Sequence, residues 1–155
     1  MLFCGINPGL YSAATGNHFA RPGNRFWPAL HAAGFTPRLL RPSEKDVFLR
    51  GGYGLSNLVA RATAGADELA PAEFVAGRSR LARKVQRYRP RMVAFLGMGA
   101  YRHAFGAPQA GLGEQPERFQ GARVWVLPSP SGLNANYSLG AMVSELRKLK
   151  RALRA

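Results

Sequence analysis

The residues best suited to chemistry lie near the amino end, in GINPGLYSAATGNHF, Gly5 to Phe19. This stretch follows a short apolar run and holds no acidic residue; the first carboxylate in the chain is Glu44. Gly5, Pro8 and Gly9 are turn formers that let a strand end sharply. Among them, Asn7 reads in two ways. It is either one more turn residue or an amide that holds a ligand group or a water. An amide is no base near neutral pH, so a reaction it serves must need positioning more than proton removal. Cys4 is the only cysteine, which excludes an internal disulfide and an all-cysteine metal site within one chain. It lies in the apolar run and reads as a small buried hydrophobe, not a nucleophile. His18, His31 and His103 show no metal-ligand spacing, so no metal is expected.

Such residues need elements to position them. MLFCGI reads as a buried strand that ends at the motif loop. MVAFLG is short, continuous and apolar, as a strand covered on both faces should be. ARVWVLP and GYGLSNLV, the latter running to Val59, are further strands. RFWPALHAAG predicts a helix with Phe26, Leu30 and Ala33 on one face, Pro28 in its first turn and Gly34 as its stop. SEKDVFLRGG offers Ser43 as a cap, with Asp46 three residues on. PAEFVAGRSRLARKVQRY spaces Phe74, Leu81, Val85 and Tyr88 for one helical face; Arg78, Arg80, Arg83, Lys84 and Arg87 take the other side. AYRHAF predicts a brief helix. SLGAMVSELRKLKRAL predicts a closing amphipathic one with Leu139, Met142, Val143, Leu146, Leu149 and Leu153 inward. AGADELAPAE reads as a solvated loop.

Strands that alternate with helices imply an α/β fold, with a mostly parallel sheet covered on both faces. Ligands then bind beyond the carboxyl ends of the strands. Two loops stand out there: the one holding Asn7, and PSPSGLNANYS after the last strand. GMGAY has a rival reading as a dinucleotide turn. Arg102 stands where its third glycine belongs, and no acid ends the next strand, which argues against a nucleotide cofactor.

The length predicts one domain over residues 1–155, and 46% hydrophobic residues fit a globular chain. No apolar run approaches the roughly 18–20 residues of a membrane span, and no signal pattern opens the chain, so a cytoplasmic protein is expected. Lys and Arg number 22 against 8 acids, a net charge of +14. Such a field attracts polyanions, nucleic acid above all. The lesser reading of the charge is a general solubility or compositional effect, since most of the basic residues are arginine.

GINPGLYSAATGNHFARPGNRFW resembles the first motif of the mismatch-specific uracil/thymine DNA glycosylases, a branch of the uracil-DNA glycosylase superfamily. The similarity continues in order through GYGLSNLVARAT, EFVAGRSRLARKVQRYRPRMVAFLGMGAY and VWVLPSPSGLNANYS, over most of the chain. The resemblance implies a three-layer α/β/α sandwich without metal or redox cofactor. It implies a monofunctional, monomeric enzyme that flips a base from double-stranded DNA containing G·U or G·T mismatches. Uracil, and with it thymine or a modified cytosine as further candidates, would be hydrolysed off to leave an abasic site.

Asn7 matches the family's water-positioning asparagine, where other branches carry Asp. Phe19 matches the aromatic that stacks on the flipped base, and Ile6 a residue whose backbone meets the base edge. Ser12, His18 and Asn57 match positions in or near the base pocket. Ser131, Gly132, Leu133 and Asn134 fall in the loop that enters the duplex, with Leu133 at the apolar wedge. Where the bacterial type has an arginine shortly after that leucine, this chain reads Asn134, Ala135, Asn136. From the residues alone, alternatives stay open: Phe19 and Leu133 as packing residues, His18 as a solvated loop residue, Asn57 as a strand-end cap. Asn24 reads as loop support. No lysine lies in the catalytic motif to form a Schiff base. The competing expectation is a module that binds damaged or abasic DNA without catalysis; the retained Asn7 favours the enzyme.

Overall fold

Apolar residues at every position of a strand require cover on both sides, and the period of two sends alternate side chains to opposite layers. The computed structural model, which describes residues 1–154, shows this sorting. Its strands are β1 (Leu2–Gly5), β2 (Gly54–Asn57), β3 (Met92–Leu96), β4 (Gly113–Glu114) and β5 (Arg123–Leu127), in the order β2-β1-β3-β5-β4. All pairings are parallel except that of β4 on β5. Phe3, Met92, Ala94, Leu96, Trp125 and Leu127 enter one core, under α2 (Phe26–Ala32), α3 (Lys45–Arg50) and α6 (Leu139–Leu153). Cys4, Val93, Phe95, Val124 and Val126 enter the other, under α4 (Pro71–Tyr88) and α5 (Met98–Phe105). The architecture is the expected α/β/α sandwich. Among the described residues, no helix is long and apolar enough to cross a membrane.

Burial pushes the Cys4 thiol up to about 12, which keeps it protonated inside the second core. Gly77 brings α4 close to the chain leaving β2: a Cβ there would lie 2.1 Å from the Leu58 carbonyl oxygen. Close backbone approach of this kind leaves room for glycine alone.

Several local expectations are corrected. The first motif loop contains a helix, α1 (Leu10–Thr15), entered from extended Gly9 and closed by left-handed Gly16 at φ 71°. Ser43 does not cap α3. A 3-10 turn over Pro42–Glu44 precedes that helix, and the Glu44 carboxylate takes the Arg41 N–H and pairs with Arg38 and Arg41. Tyr88 is 71% exposed, because α4 ends there at left-handed Arg89 and the ring meets the Arg87 guanidinium rather than the core. Leu139 is also exposed, at the first turn of α6, where Ser138 Oγ accepts from the Ala141 N–H. Strand β4 went unpredicted because two residues, one a glycine, carry no alternation.

Candidate active site

The four parallel strands deliver their carboxyl ends to one side of the sheet, and a cleft of about 640 Å³ opens there. Its walls come from the loop and helix after β1, the turn around Thr63–Asp67, and the loop after β5. Every site residue expected from the sequence lines this cleft except Gly132. Gly132 sits against the loop before α2, where a Cβ would come 2.7 Å from the Gly23 carbonyl oxygen.

Asn7 lies two residues past the end of β1. Its Nδ2 donates to the Arg61 carbonyl at 2.9 Å and to Thr63 Oγ1 at 2.8 Å. A carbonyl can only accept, so the nitrogen must be the amide atom that faces Arg61, which fixes the orientation. Both amide hydrogens are thereby used. Thr63 passes its own hydroxyl hydrogen to the Gly65 carbonyl at 2.8 Å, and its backbone N–H meets the Pro8 carbonyl at 3.2 Å. Among the described residues, Asn7 Oδ1 has no protein donor. It is the group left to accept a hydrogen bond, and an acceptor can orient a water without deprotonating it. Asp67 is the one carboxylate among the described residues of the cleft, on an exposed turn beyond Gly65.

Phe19 lines the same cleft. Its backbone adopts left-handed φ 53°, which is costly for a residue with a side chain. Bonds on both neighbours hold it there: Trp27 Nε1 donates to the His18 carbonyl, and the Ala20 N–H donates to Ser12 Oγ, each at 3.0 Å. The ring rests on Phe26, centroids 4.1 Å apart. Gly5 lets Phe19 and Asn57 close over the end of β1, since a Cβ would lie 2.7 Å from Asn57 Oδ1 and 3.0 Å from Phe19 Cζ. Asn57 ends β2, and among the described residues its side-chain amide makes no protein hydrogen bond. The Ile6 carbonyl accepts from the Val59 N–H at 2.9 Å, so the ladder continues past β2. Burial, with the charges of Lys45 and Lys84 added, lowers the His18 pKa below its usual value.

The loop after β5 is braced from below. Arg25 donates its N–H to the Pro130 carbonyl and its guanidinium to the carbonyls of Ser131 and Asn134, both at 3.0 Å. Asn134 folds inward: Nδ2 donates to the Ser129 carbonyl, and Oδ1 accepts from the Asn136 N–H. Leu133 projects instead and is 67% exposed. Asn24 supports α2, its Oδ1 accepting from the Phe26 N–H at 3.0 Å. Sequence reasoning missed Arg25, Arg61 and Thr63. The only trace of the last two was a pair of polar residues in an otherwise small-residue run, ARATAG.

A volume within the usual range for small-ligand sites, floored by an aromatic ring and edged by side-chain amides, suits a flat heterocycle rather than an extended peptide. On a basic α/β sandwich, with an exposed leucine in the lining, such a cleft suits a nucleobase, and the class it points to is that of DNA base-processing enzymes. The family model of the uracil DNA glycosylase superfamily matches residues 1–154, and the chain belongs to that superfamily. It is thus a DNA glycosylase, a hydrolase of base excision repair that acts on damaged bases in DNA.

Proposed function

We propose that this glycosylase removes uracil, and also thymine or modified cytosines, from mismatched double-stranded DNA, acting as a monomer and leaving an abasic site. The observation that carries the reading is the locked Asn7 amide in the cleft lining, with both N–H bonds made and Oδ1 left without a donor among the described residues. A flipped base would stack on Phe19, with the Asn57 amide and the Ile6 backbone at its edge. The glycosidic bond breaks with both electrons leaving on the base, which departs as an anion. The oxocarbenium-like sugar left behind adds a water held by Asn7 Oδ1, and the water's proton passes to solvent. Proximity carries this step, because no carboxylate in the first motif can act as base. Turnover is expected to be slow.

Breadth of substrate is supported by the wall opposite. Ser12 and Ala13 line the cleft, whereas Tyr11 lies outside its lining and is 49% exposed. Small residues at these positions favour admission of a 5-methyl. The test is single-turnover base release from duplexes carrying uracil, thymine or a modified cytosine opposite guanine. Asn7→Ala should lose about hundredfold or more in rate while still binding the duplex. Release by Asn7→Ala at the wild-type rate would sink the water-positioning role. Binding without release by the wild type would make the protein a damage-binding module, and release of uracil alone would refute breadth.

A further inference from the structure

We infer that the Arg61–Glu73 ion pair is a positioning device for base release: it holds the Arg61 carbonyl in place against the Asn7 amide. The inference rests on Asn7 being the water-positioning residue. Arg61 lies in an irregular stretch after β2, between backbone bonds at Val59 and Thr63 that leave its own peptide outside any helix or strand. Its side chain supplies the anchor. Nε donates to Glu73 Oε1 at 2.8 Å, and Nη2 donates to Glu73 Oε2 at 3.0 Å and to the Glu68 carbonyl at 3.1 Å. Glu73 is itself tied to the start of α4, accepting the Ala70 N–H at 2.8 Å. A continuous path therefore runs from the first turn of a long helix, through a two-pronged ion pair, to the carbonyl that receives the Asn7 amide.

Stability does not account for the pair. The Arg61 side chain is 52% exposed, and exposed ion pairs contribute little to folding. Contact with DNA does not account for it either. An arginine beside the cleft of so basic a protein would ordinarily face phosphate, but here the fork is spent on a carboxylate that neutralises it. Glu73 is one of only 8 acidic residues in the chain. Electrostatics alone predicts that removing it tightens DNA binding. The positioning role predicts that removing it slows the reaction all the same.

The experiment compares the full-length wild type with Arg61→Ala, Arg61→Lys, Glu73→Ala and the Arg61→Ala/Glu73→Ala double variant. Single-turnover uracil release from a G·U duplex is measured at saturating enzyme, well below each variant's thermal midpoint. Affinity is measured on a duplex whose 2′-fluorinated deoxyuridine resists cleavage. The Asn7 side-chain amide signals, identified by their loss in Asn7→Ala, are followed by NMR. Each alanine variant should slow release about tenfold, as a small misplacement of a positioned group does. The double variant should be no slower than either single one, since both break one link. Arg61→Lys should fall between, because an ammonium cannot span both carboxylate oxygens. Glu73→Ala should bind as tightly as wild type or tighter, and the Asn7 amide signals should shift in every variant. Wild-type rates in Arg61→Ala and Glu73→Ala would overturn the inference. So would slower release in Arg61→Ala alone with weaker binding, the pattern of a phosphate contact. Should Asn7→Ala itself release uracil at the wild-type rate, the water-positioning role falls instead; unshifted Asn7 signals would then remove the brace as well.

Discussion

Asn7 and His18 show how little a side chain's type says until its partners are known. An asparagine free to rotate would present nitrogen or oxygen to the cleft equally; the Arg61 carbonyl and Thr63 hydroxyl remove that choice. His18 is held by burial in a similar way. Its folded ring binds a proton less readily than the ordinary imidazole at 6.5, first through burial and then through Lys45 and Lys84. The unfolded chain therefore carries more protons in the window just below 6.5, and stability falls as pH drops through it. The thermal midpoint of the wild type should fall further than that of His18→Gln between about pH 7.5 and about pH 5.5. Equal falls in the two proteins would mean that the ring titrates as a free imidazole.

Among the elements, the loop after β5 is the one proposed to enter the duplex. Arg25, from the start of α2, ties down three of its carbonyls, and Asn134 turns back into it, so the apolar Leu133 is left standing out. Without an arginine after it, Leu133 should carry more of the insertion than its counterpart in the bacterial type. Unstacking and unpairing a duplex base costs a few kcal/mol, which a base in single-stranded DNA does not require. Leu133→Ala should therefore slow uracil release from a G·U duplex several-fold more than from single strands, given that cost. The check is the ratio of the two single-turnover rates in each protein. An unchanged ratio would move the insertion to another part of the loop, with Tyr137 the next residue to vary.

For the whole molecule, charge is the dominant property. Glu44, Glu73, Glu114 and Glu145 already face arginine or lysine within the fold, so most of the 22 basic residues have no acidic partner among the described residues. Neutralising phosphates with these groups releases counterions from DNA. Affinity for duplex DNA should fall linearly on logarithmic axes as salt rises, with a slope of about 0.9 per phosphate contacted. A titration of the dissociation constant against salt measures it. A flat line would show that the arginines of α4 and α6 serve the outer faces and not the DNA.

The sequence by itself determined the layers, because burial on two faces leaves continuous apolar strands and burial on one leaves helices with a stripe; both patterns are periodic and local. It also determined two of the segments that gather at the cleft. Ile6 through Phe19 and Pro128 through Leu133 follow β1 and β5, and parallel strands carry such loops to a common end. Short or irregular pieces escaped it. Helix α1 has little apolar period, and Ser43 lost its capping role to a neighbouring carboxylate that pairs with two arginines. Tertiary structure alone decided what holds the site. Asn7 meets Arg61 across 54 residues and Arg25 meets Asn134 across 109, and in each pair the side chain donates to a backbone carbonyl. Every residue has a carbonyl, so no residue type announces that one of them is an acceptor. Only the folded path of the chain brings that oxygen within reach of a side chain that needs it.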